Sequence, residues 1–163
     1  MNRSISLTGI WLLAGGALIM DQLSKWAVLV PLDLSGVGRM EVAPGFLNFV
    51  FVWNKGINFG LFASDSWVGQ AVVITIAVVV SGVLTWWNRG GGMLLQAGGS
   101  ALMIGGALSN AVDRIVHGAV VDFINVSVPG LHNPFSFNAA DIWLFLGAAL
   151  IVWGDARGGA KEG

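Results

Sequence analysis

Residues 67–87 read WVGQAVVITIAVVVSGVLTWW, and this stretch decides the class of the fold. It contains no charged residue, and it is long enough to cross the hydrocarbon core of a bilayer, which takes roughly 20 apolar residues. Tryptophans stand at both of its ends, as is typical of a span anchored at the two membrane interfaces. The stretch therefore predicts a transmembrane helix.

The composition of the whole chain agrees with a membrane protein. Of the 163 residues, 55% are hydrophobic and 10% are charged, whereas soluble domains carry about 25% charged residues. The net charge of −1 provides no basic field for a nucleic acid, so we expect no nucleic-acid partner. The absence of cysteine excludes disulfides, thiolate metal sites and cysteine nucleophiles.

Four stretches predict spans, at about residues 9–30, 67–87, 93–112 and 139–154. We expect both termini in the cytoplasm because the tails are short, although the basic residues are almost balanced between the two sides. The first stretch could be a cleaved signal peptide, but Asp21 and Lys25 stand where a small-residue cleavage site would have to lie. We therefore treat residues 1–163 as a single membrane domain.

Two segments, 31–66 and 113–138, connect the spans on the extracytoplasmic side. Residues 46–53 form an aromatic and β-branched run that predicts a strand, followed by a turn at residues 54–56. Residues 120–128, VVDFINVSV, predict a second strand. The expected fold class is a membrane all-α fold, a bundle of four transmembrane helices with a small extracytoplasmic sheet.

The few ionisable residues of the predicted bundle gather at its extracytoplasmic face. A charge near hydrocarbon costs about 2.5–3.5 kcal/mol, so each such residue is a functional candidate by default. The span ends that carry them converge because the helices alternate in direction. Seven residues belong to this group: Asp21, Lys25, Lys55, Asp113, Arg114, Asp122 and Asp141.

Structural interpretations compete with functional ones for most of these residues. Asp21 and Lys25 are four residues apart, so they share a helix face and can neutralise each other, or they can contact a substrate. Asp113 with Arg114 can cap the third span.

The remaining two aspartates are not explained as easily by structure. Asp141 can favour the start of the fourth helix through the helix dipole. Asp122, however, interrupts an apolar run with no cation next to it in sequence. His117 and His132 lie in predicted polar loops without the spacing of metal ligands, so we expect solvated side chains and no metal site.

Catalysis by a pair of carboxylates is the type of chemistry that remains once the other motifs are excluded. No G-x-S-x-G or H-E-x-x-H motif occurs, and Ser24 and Lys25 are adjacent on a helix and point about 100° apart. Two aspartates forced together cannot both ionise cheaply, so one can activate water while the other protonates a leaving amine. This predicts aspartic-type hydrolysis.

Two other classes of protein remain as alternatives. A small transporter or proton channel could use the same Asp and Lys residues as relay groups. The short spans, the strand cluster and the lack of an inverted repeat count against it. A structural scaffold would not need buried carboxylates at one face.

Five sequence blocks carry a resemblance to a known family. They are DQLSK at 21–25, NKGINFG at 54–60, GGALSNAVDR at 105–114, GAVVDFI at 118–124 and FNAAD at 137–141. In these blocks, their order and their spacing, the chain resembles the lipoprotein signal peptidases, the signal peptidase II family of bacteria. The likeness extends over essentially the whole chain.

The resemblance implies a fold, a reaction and a location. It implies four transmembrane helices with a small extracytoplasmic β-cradle, in a monomer of the bacterial inner membrane surrounded by membrane lipids. The substrates are diacylglyceryl-modified prolipoproteins, which are cut just before the lipid-modified cysteine. No metal or organic cofactor is implied.

The resemblance also implies the site residues. Asp122 and Asp141 match the catalytic aspartates. The supporting and substrate-binding set falls on Asp21, Lys25, Asn54, Gly56, Asn110, Asp113, Arg114 and Asn138. We expect the Arg114 guanidinium to hold Asp113 as a rigid fork. Ile57 and Asn58 depart from the small residues that the family commonly has after the Asn-x-Gly, so contacts of that loop transfer less securely.

Overall fold

The computed structural model describes residues 4–56, 67–128 and 133–159. Ten elements follow one another along these residues. They are β1 Ser4–Ile5, α1 Leu7–Leu29, α2 Leu34–Val37, β2 Arg39–Ala43, β3 Leu47–Asn54, α3 Trp67–Trp87, β4 Gly92–Met93, α4 Leu94–His117, β5 Val120–Val126 and α5 Ala139–Gly159.

The four long helices lie at the four predicted spans, but two of them end five residues later than predicted. α3 has the predicted bounds, whereas α5 continues to Gly159 and α4 to His117. Asp113 and Arg114 therefore lie inside α4, and the prediction that places them in a connecting segment is wrong. The helix ends only at Gly118, whose φ of 69° is left-handed and whose N–H donates to the Arg114 carbonyl.

Three of the described helices are long and apolar enough to cross a membrane: α1, α3 and α5. α4 is less apolar because it carries Gln96, Asn110, Asp113 and Arg114. It is also the most enclosed of the four, with eleven of its residues buried. The count of four spans stays a prediction for α4.

α4 is the central helix of the bundle, and α1, α3 and α5 all pack against it. Glycines make the approach close: a Cβ added to Gly99 would lie 2.5 Å from the Gly147 carbonyl oxygen, and one added to Gly106 would lie 2.6 Å from that of Ala140. Small residues at helix contacts are typical of membrane bundles. The apolar core between these helices consists of Ile10, Ala14, Leu84, Ala97, Ala101 and Ile104.

β2, β3 and β5 form a three-stranded antiparallel sheet in that order. The two strands predicted from alternation are confirmed as β3 and β5, whereas β2 is an addition that the sequence did not indicate. A second apolar cluster holds the sheet against α1 and α2. Its buried members are Val28, Leu34, Val121 and Phe123.

The two ends of the bundle differ in what they carry. We call the end at which α1 begins and α5 ends the terminal end; there β1 pairs with β4, and Gln96 donates a hydrogen bond to Asp155. We call the opposite end, at which α1 and α4 end and α5 begins, the sheet end. The three-stranded sheet lies at the sheet end because β5 follows α4 directly and precedes α5.

Candidate active site

A buried ion cluster joins α1 to α4 at the sheet end. The Nζ atom of Lys25 lies 2.5 Å from Asp21 Oδ2 and 2.7 Å from Asp113 Oδ2, and all three side chains are buried. Asp21 also accepts hydrogen bonds from the Ser109 hydroxyl at 2.7 Å and from the Ala140 N–H at 2.8 Å. The predicted pairing of Asp21 with Lys25 is confirmed, and the same pair fixes the start of α5.

Arg114 does not hold Asp113, so the predicted fork between them is wrong. Its Nη1 donates to the Asn110 carbonyl oxygen at 3.0 Å, one helical turn earlier. Asp113 pairs instead with Lys25 and accepts a bond of 2.7 Å from Gln22 Nε2. The physical reason is that adjacent residues on a helix point about 100° apart, so the two side chains face different neighbours.

Two asparagines connect this ion cluster to the remaining aspartates. Asn110 Oδ1 accepts a bond of 3.1 Å from Lys25 Nζ, and Asn110 Nδ2 donates to Asp141 Oδ1 at 3.1 Å. Asn138 Nδ2 donates to Asp122 Oδ1 at 2.7 Å and to Asn110 Oδ1 at 3.2 Å. Asparagine can donate and accept without ionising, so this bridge orients both carboxylates without adding charge.

Asp141 is fixed by the way in which α5 begins. The Asp141 N–H donates to Asn138 Oδ1 at 3.0 Å, and the Asn138 N–H donates to Asp141 Oδ2 at 3.2 Å. This reciprocal pair has the geometry of a capping box, which satisfies two backbone donors at the helix start. The prediction that Asp141 favours the start of the fourth helix is therefore confirmed. This role is compatible with a second role for the carboxylate.

Asp122 projects from β5 and is 3% exposed. Its Oδ2 accepts from Asn54 Nδ2 at 2.9 Å, and its Oδ1 accepts from Asn138. The pKa of the Asp122 carboxyl is raised from 3.8 to about 6, first by burial and also by the nearby charge of Asp141, while the asparagine bonds and Lys25 act in the opposite direction. Asn138 and Asn110 connect Asp122 to Asp141 by hydrogen bonds, so the two carboxylates belong to one network.

A cavity of about 420 Å³ opens beside Asp122 at the sheet end. Asn54, Lys55 and Gly56 line one side of it, and Phe135 and Ser136 line another. Gly56 adopts a φ of 110°, and its N–H donates to Asn54 Oδ1, so the predicted turn is present here. Ile57 and Asn58 lie outside the described residues.

Asn125 holds the wall of this cavity that contains Phe135. Its Nδ2 donates to the carbonyl oxygens of Asn133 at 2.9 Å and Phe135 at 2.8 Å. The Asn133 side chain in turn donates to the Val126 carbonyl at 2.9 Å. Segment 133–137 is thereby fastened to β5, and the exposed Phe135 ring stands at the cavity mouth.

The structure brings together every supporting residue that the sequence singled out, and it adds several. Gln22 and Ser109 contact the ion cluster. The sequence feature that could have pointed to them is their position in the matching blocks, next to Asp21 and Asn110. Asn125 had no sequence signal, because its partners are backbone carbonyls of a loop.

The two histidines remain apart from this network. His117 is exposed but is the last residue of α4 rather than part of a loop, with its ring 5.5 Å from that of Trp53. His132 lies outside the described residues. Within the described ranges, no group of three or more His, Cys, Asp and Glu residues could hold a metal ion.

Comparison with known proteins gives one consistent family. The profile of the family described as signal peptidase (SPase) II matches residues 13–156. The lipoprotein signal peptidase of Methylobacterium sp. (strain 4-46) is 35% identical, over 90% of this chain and 90% of its own length. That of Alteromonas mediterranea is 38% identical, over 98% of this chain and 86% of its own length.

Solved structures agree with this assignment. Two structures described as bacterial membrane enzymes match with TM-scores of 0.80 and 0.77, at 26% and 27% sequence identity. They cover 100% and 94% of this chain and 96% of each of those chains. Fold, site and relatives together define a membrane peptidase. The chain belongs to the signal peptidase II family.

Proposed function

We propose that this chain removes signal peptides from diacylglyceryl-modified prolipoproteins, cutting before the lipid-modified cysteine, with Asp122 and Asp141 as its catalytic pair. The observation that carries the proposal is the bridge through Asn138 and Asn110. It holds two carboxylates from different elements in one network, and one of them, Asp122, lines the cavity at the sheet end. The family relationship supplies the substrate class.

In this mechanism the two aspartates share one proton, and their pKa values belong to the pair. The ionised carboxylate takes a proton from a water molecule, whose oxygen attacks the scissile carbonyl carbon. The protonated carboxyl donates its proton as the carbon–nitrogen bond breaks and the amine leaves. The raised pKa of Asp122, about 6, brings the protonation of the pair closer to neutral pH than that of an ordinary aspartate.

The surrounding residues act as positioning groups in this proposal. Asn110 and Asn138 orient the carboxylates in a site of low dielectric, where a fully satisfied polar network is rigid. Lys25 pairs with both Asp21 and Asp113 and offsets one of their two negative charges, which lowers the negative charge that the buried site has to carry.

The location follows from the same proposal. We place the chain, as one domain, in the bacterial inner membrane as a monomer among membrane lipids, with α4 as the fourth span and both termini cytoplasmic. The sheet end then faces the extracytoplasmic side, where acyl chains of the substrate can stay in the bilayer while its peptide reaches the cavity. The wide apolar exposure of α3 supports contact with lipid.

The deciding experiment replaces each aspartate separately by asparagine and measures cleavage of a diacylglyceryl prolipoprotein. We expect Asp122→Asn and Asp141→Asn each to lower the rate by about 10²–10⁴-fold, the usual contribution of a general acid or base. Asp155→Asn is the matched control, because Asp155 lies at the terminal end beside Gln96. Full cleavage by either site variant, with the fold retained, would contradict the assignment.

A further inference from the structure

A second cavity lies at the terminal end of the bundle, away from the aspartates. α1 and α3 both pack on α4 but barely touch each other, and an apolar groove of about 410 Å³ remains between them. Its lining is almost entirely apolar and includes Leu7, Trp11, Val78, Trp86 and Leu108. The catalytic proposal makes no use of this groove.

A cation stands at the mouth of the groove. The Arg89 guanidinium lies over the Trp86 ring, 4.5 Å from its centre, and Arg89 also lines the groove. No described carboxylate forms an ion pair with it. Its exposed charge at a tryptophan-rich helix end fits an anionic group at a membrane surface.

A hydroxyl group inside the groove also lacks a partner. Ser81 lines the groove and is 4% exposed, and its Oγ has no hydrogen bond to any part of the chain that the structure describes. Buried hydroxyl groups are nearly always hydrogen-bonded, so this one calls for an acceptor. Ser81 precedes Trp86, the residue whose ring carries the Arg89 guanidinium, by five residues, or about 7.5 Å of helix.

The length of the groove matches one leaflet of a bilayer. Along α3 its lining runs from Val78 to Trp86, next to the helix end, which is about 12 Å. The hydrocarbon core is about 30 Å thick, so the groove covers roughly half of it.

We propose that this groove binds one anionic phospholipid of the leaflet at the terminal end. The phosphate contacts Arg89, an acyl ester carbonyl accepts from the Ser81 hydroxyl, and an acyl chain lies along Val78 and Gly82. The glycerol backbone spans the distance between Arg89 and Ser81. A zwitterionic headgroup fits less well, because its own cation competes with the guanidinium for the phosphate.

The test measures lipid binding to the full chain in detergent by native mass spectrometry. The probes are phosphatidylglycerol and phosphatidylcholine with identical acyl chains. We expect the unaltered chain to bind phosphatidylglycerol more tightly, and Arg89→Gln to weaken that binding about fivefold and remove the preference. Arg157→Gln is the control, because Arg157 lies over Trp153 at 4.6 Å at the same end of the bundle but does not line the groove.

A second variant tests the groove itself rather than the charge. Gly82 lines the groove and no atom lies within 4 Å of a Cβ added there, so the side chain of Gly82→Leu has room to start into the groove. We expect it to abolish phosphatidylglycerol binding while prolipoprotein cleavage stays unchanged. The proposal is overturned if the unaltered chain shows no lipid preference, if Arg157→Gln weakens binding as much as Arg89→Gln, or if Gly82→Leu binds normally.

Discussion

Lys25 is the residue on which the buried polar cluster depends. Its ammonium group contacts Asp21, Asp113 and Asn110, so it pairs with a carboxylate on each of two helices and begins the bridge toward both candidate catalytic aspartates. A buried ion pair adds little stability over an apolar substitute, but removing one partner leaves the other charge uncompensated. The cluster is therefore more sensitive to loss of the cation than its small size suggests.

Replacing Lys25 by methionine tests this dependence. We expect Lys25→Met to lower the free energy of unfolding by about 3–5 kcal/mol, because two buried carboxylates lose their counter-ion. The apparent Tm of the protein in detergent measures the effect. Lys55→Met, at an exposed lysine, is the control, and equal Tm values for the two variants would contradict the prediction.

Asp122 gives the stability of the protein a defined pH dependence. Its carboxyl has a pKa of about 6 in the folded chain against an ordinary value of 3.8, so the folded state binds the proton more tightly than the unfolded state. The stability that this proton contributes is fully present below about pH 4 and is lost as the pH rises through about 6.

Asp122→Asn isolates this contribution because an amide does not titrate in this range. We expect the Tm of the unaltered chain minus that of the variant to fall between about pH 4 and pH 6.5 and to remain level at higher pH. Any loss of Tm that the changed hydrogen bonds cause equally at every pH cancels when the Tm differences at two pH values are compared. Parallel curves over the whole range would show that Asp122 ionises normally.

At the scale of secondary-structure elements, the contact between α4 and α5 positions the site. Gly106 of α4 lies against the Ala140 carbonyl, at the turn of α5 that carries Asp141. A side chain on this glycine would push the start of α5 away from α4. Asn110, one turn along α4, would then lose its alignment with Asp141.

Gly106→Ala and Gly98→Ala form a matched pair for this contact. We expect Gly106→Ala to cost about 1–3 kcal/mol of stability and to slow prolipoprotein cleavage, because its Cβ cannot fit without moving backbone. Gly98→Ala lies on the same helix with nothing within 4 Å of its Cβ, so it should leave both unchanged. Equal Tm values and equal cleavage rates in the two variants would exclude the packing argument.

The elements themselves could largely be predicted, because apolar length and alternation are local signals. α3 and the two strands that flank the site follow directly from such patterns. The end of α4 could not be placed, because Asp113 and Arg114 look like a boundary when read alone. They continue the helix because Lys25 and the Asn110 carbonyl, neither adjacent in sequence, satisfy them.

At the scale of the whole molecule, the residue types of the site were predictable but their partners were not. The matching blocks supplied the aspartates and asparagines, and the structure brings those residues together. The pairing of Asp113 with Lys25 rather than Arg114 depends on how two helices cross. Asn125 was missed for the same reason, since its role appears only when segment 133–137 folds back on β5.

The hydrogen bond from the Ala140 N–H to Asp21 joins residues that are 119 positions apart. α1 therefore completes its polar contacts only with α5, which is synthesised much later than α1. A chain still emerging from the ribosome, with α5 not yet inserted, lacks Asp141 in its site and the hydrogen bond that Asn138 donates to Asp122. On the proposed mechanism, such a nascent chain has no proteolytic activity, so hydrolysis begins only once the entire bundle has assembled.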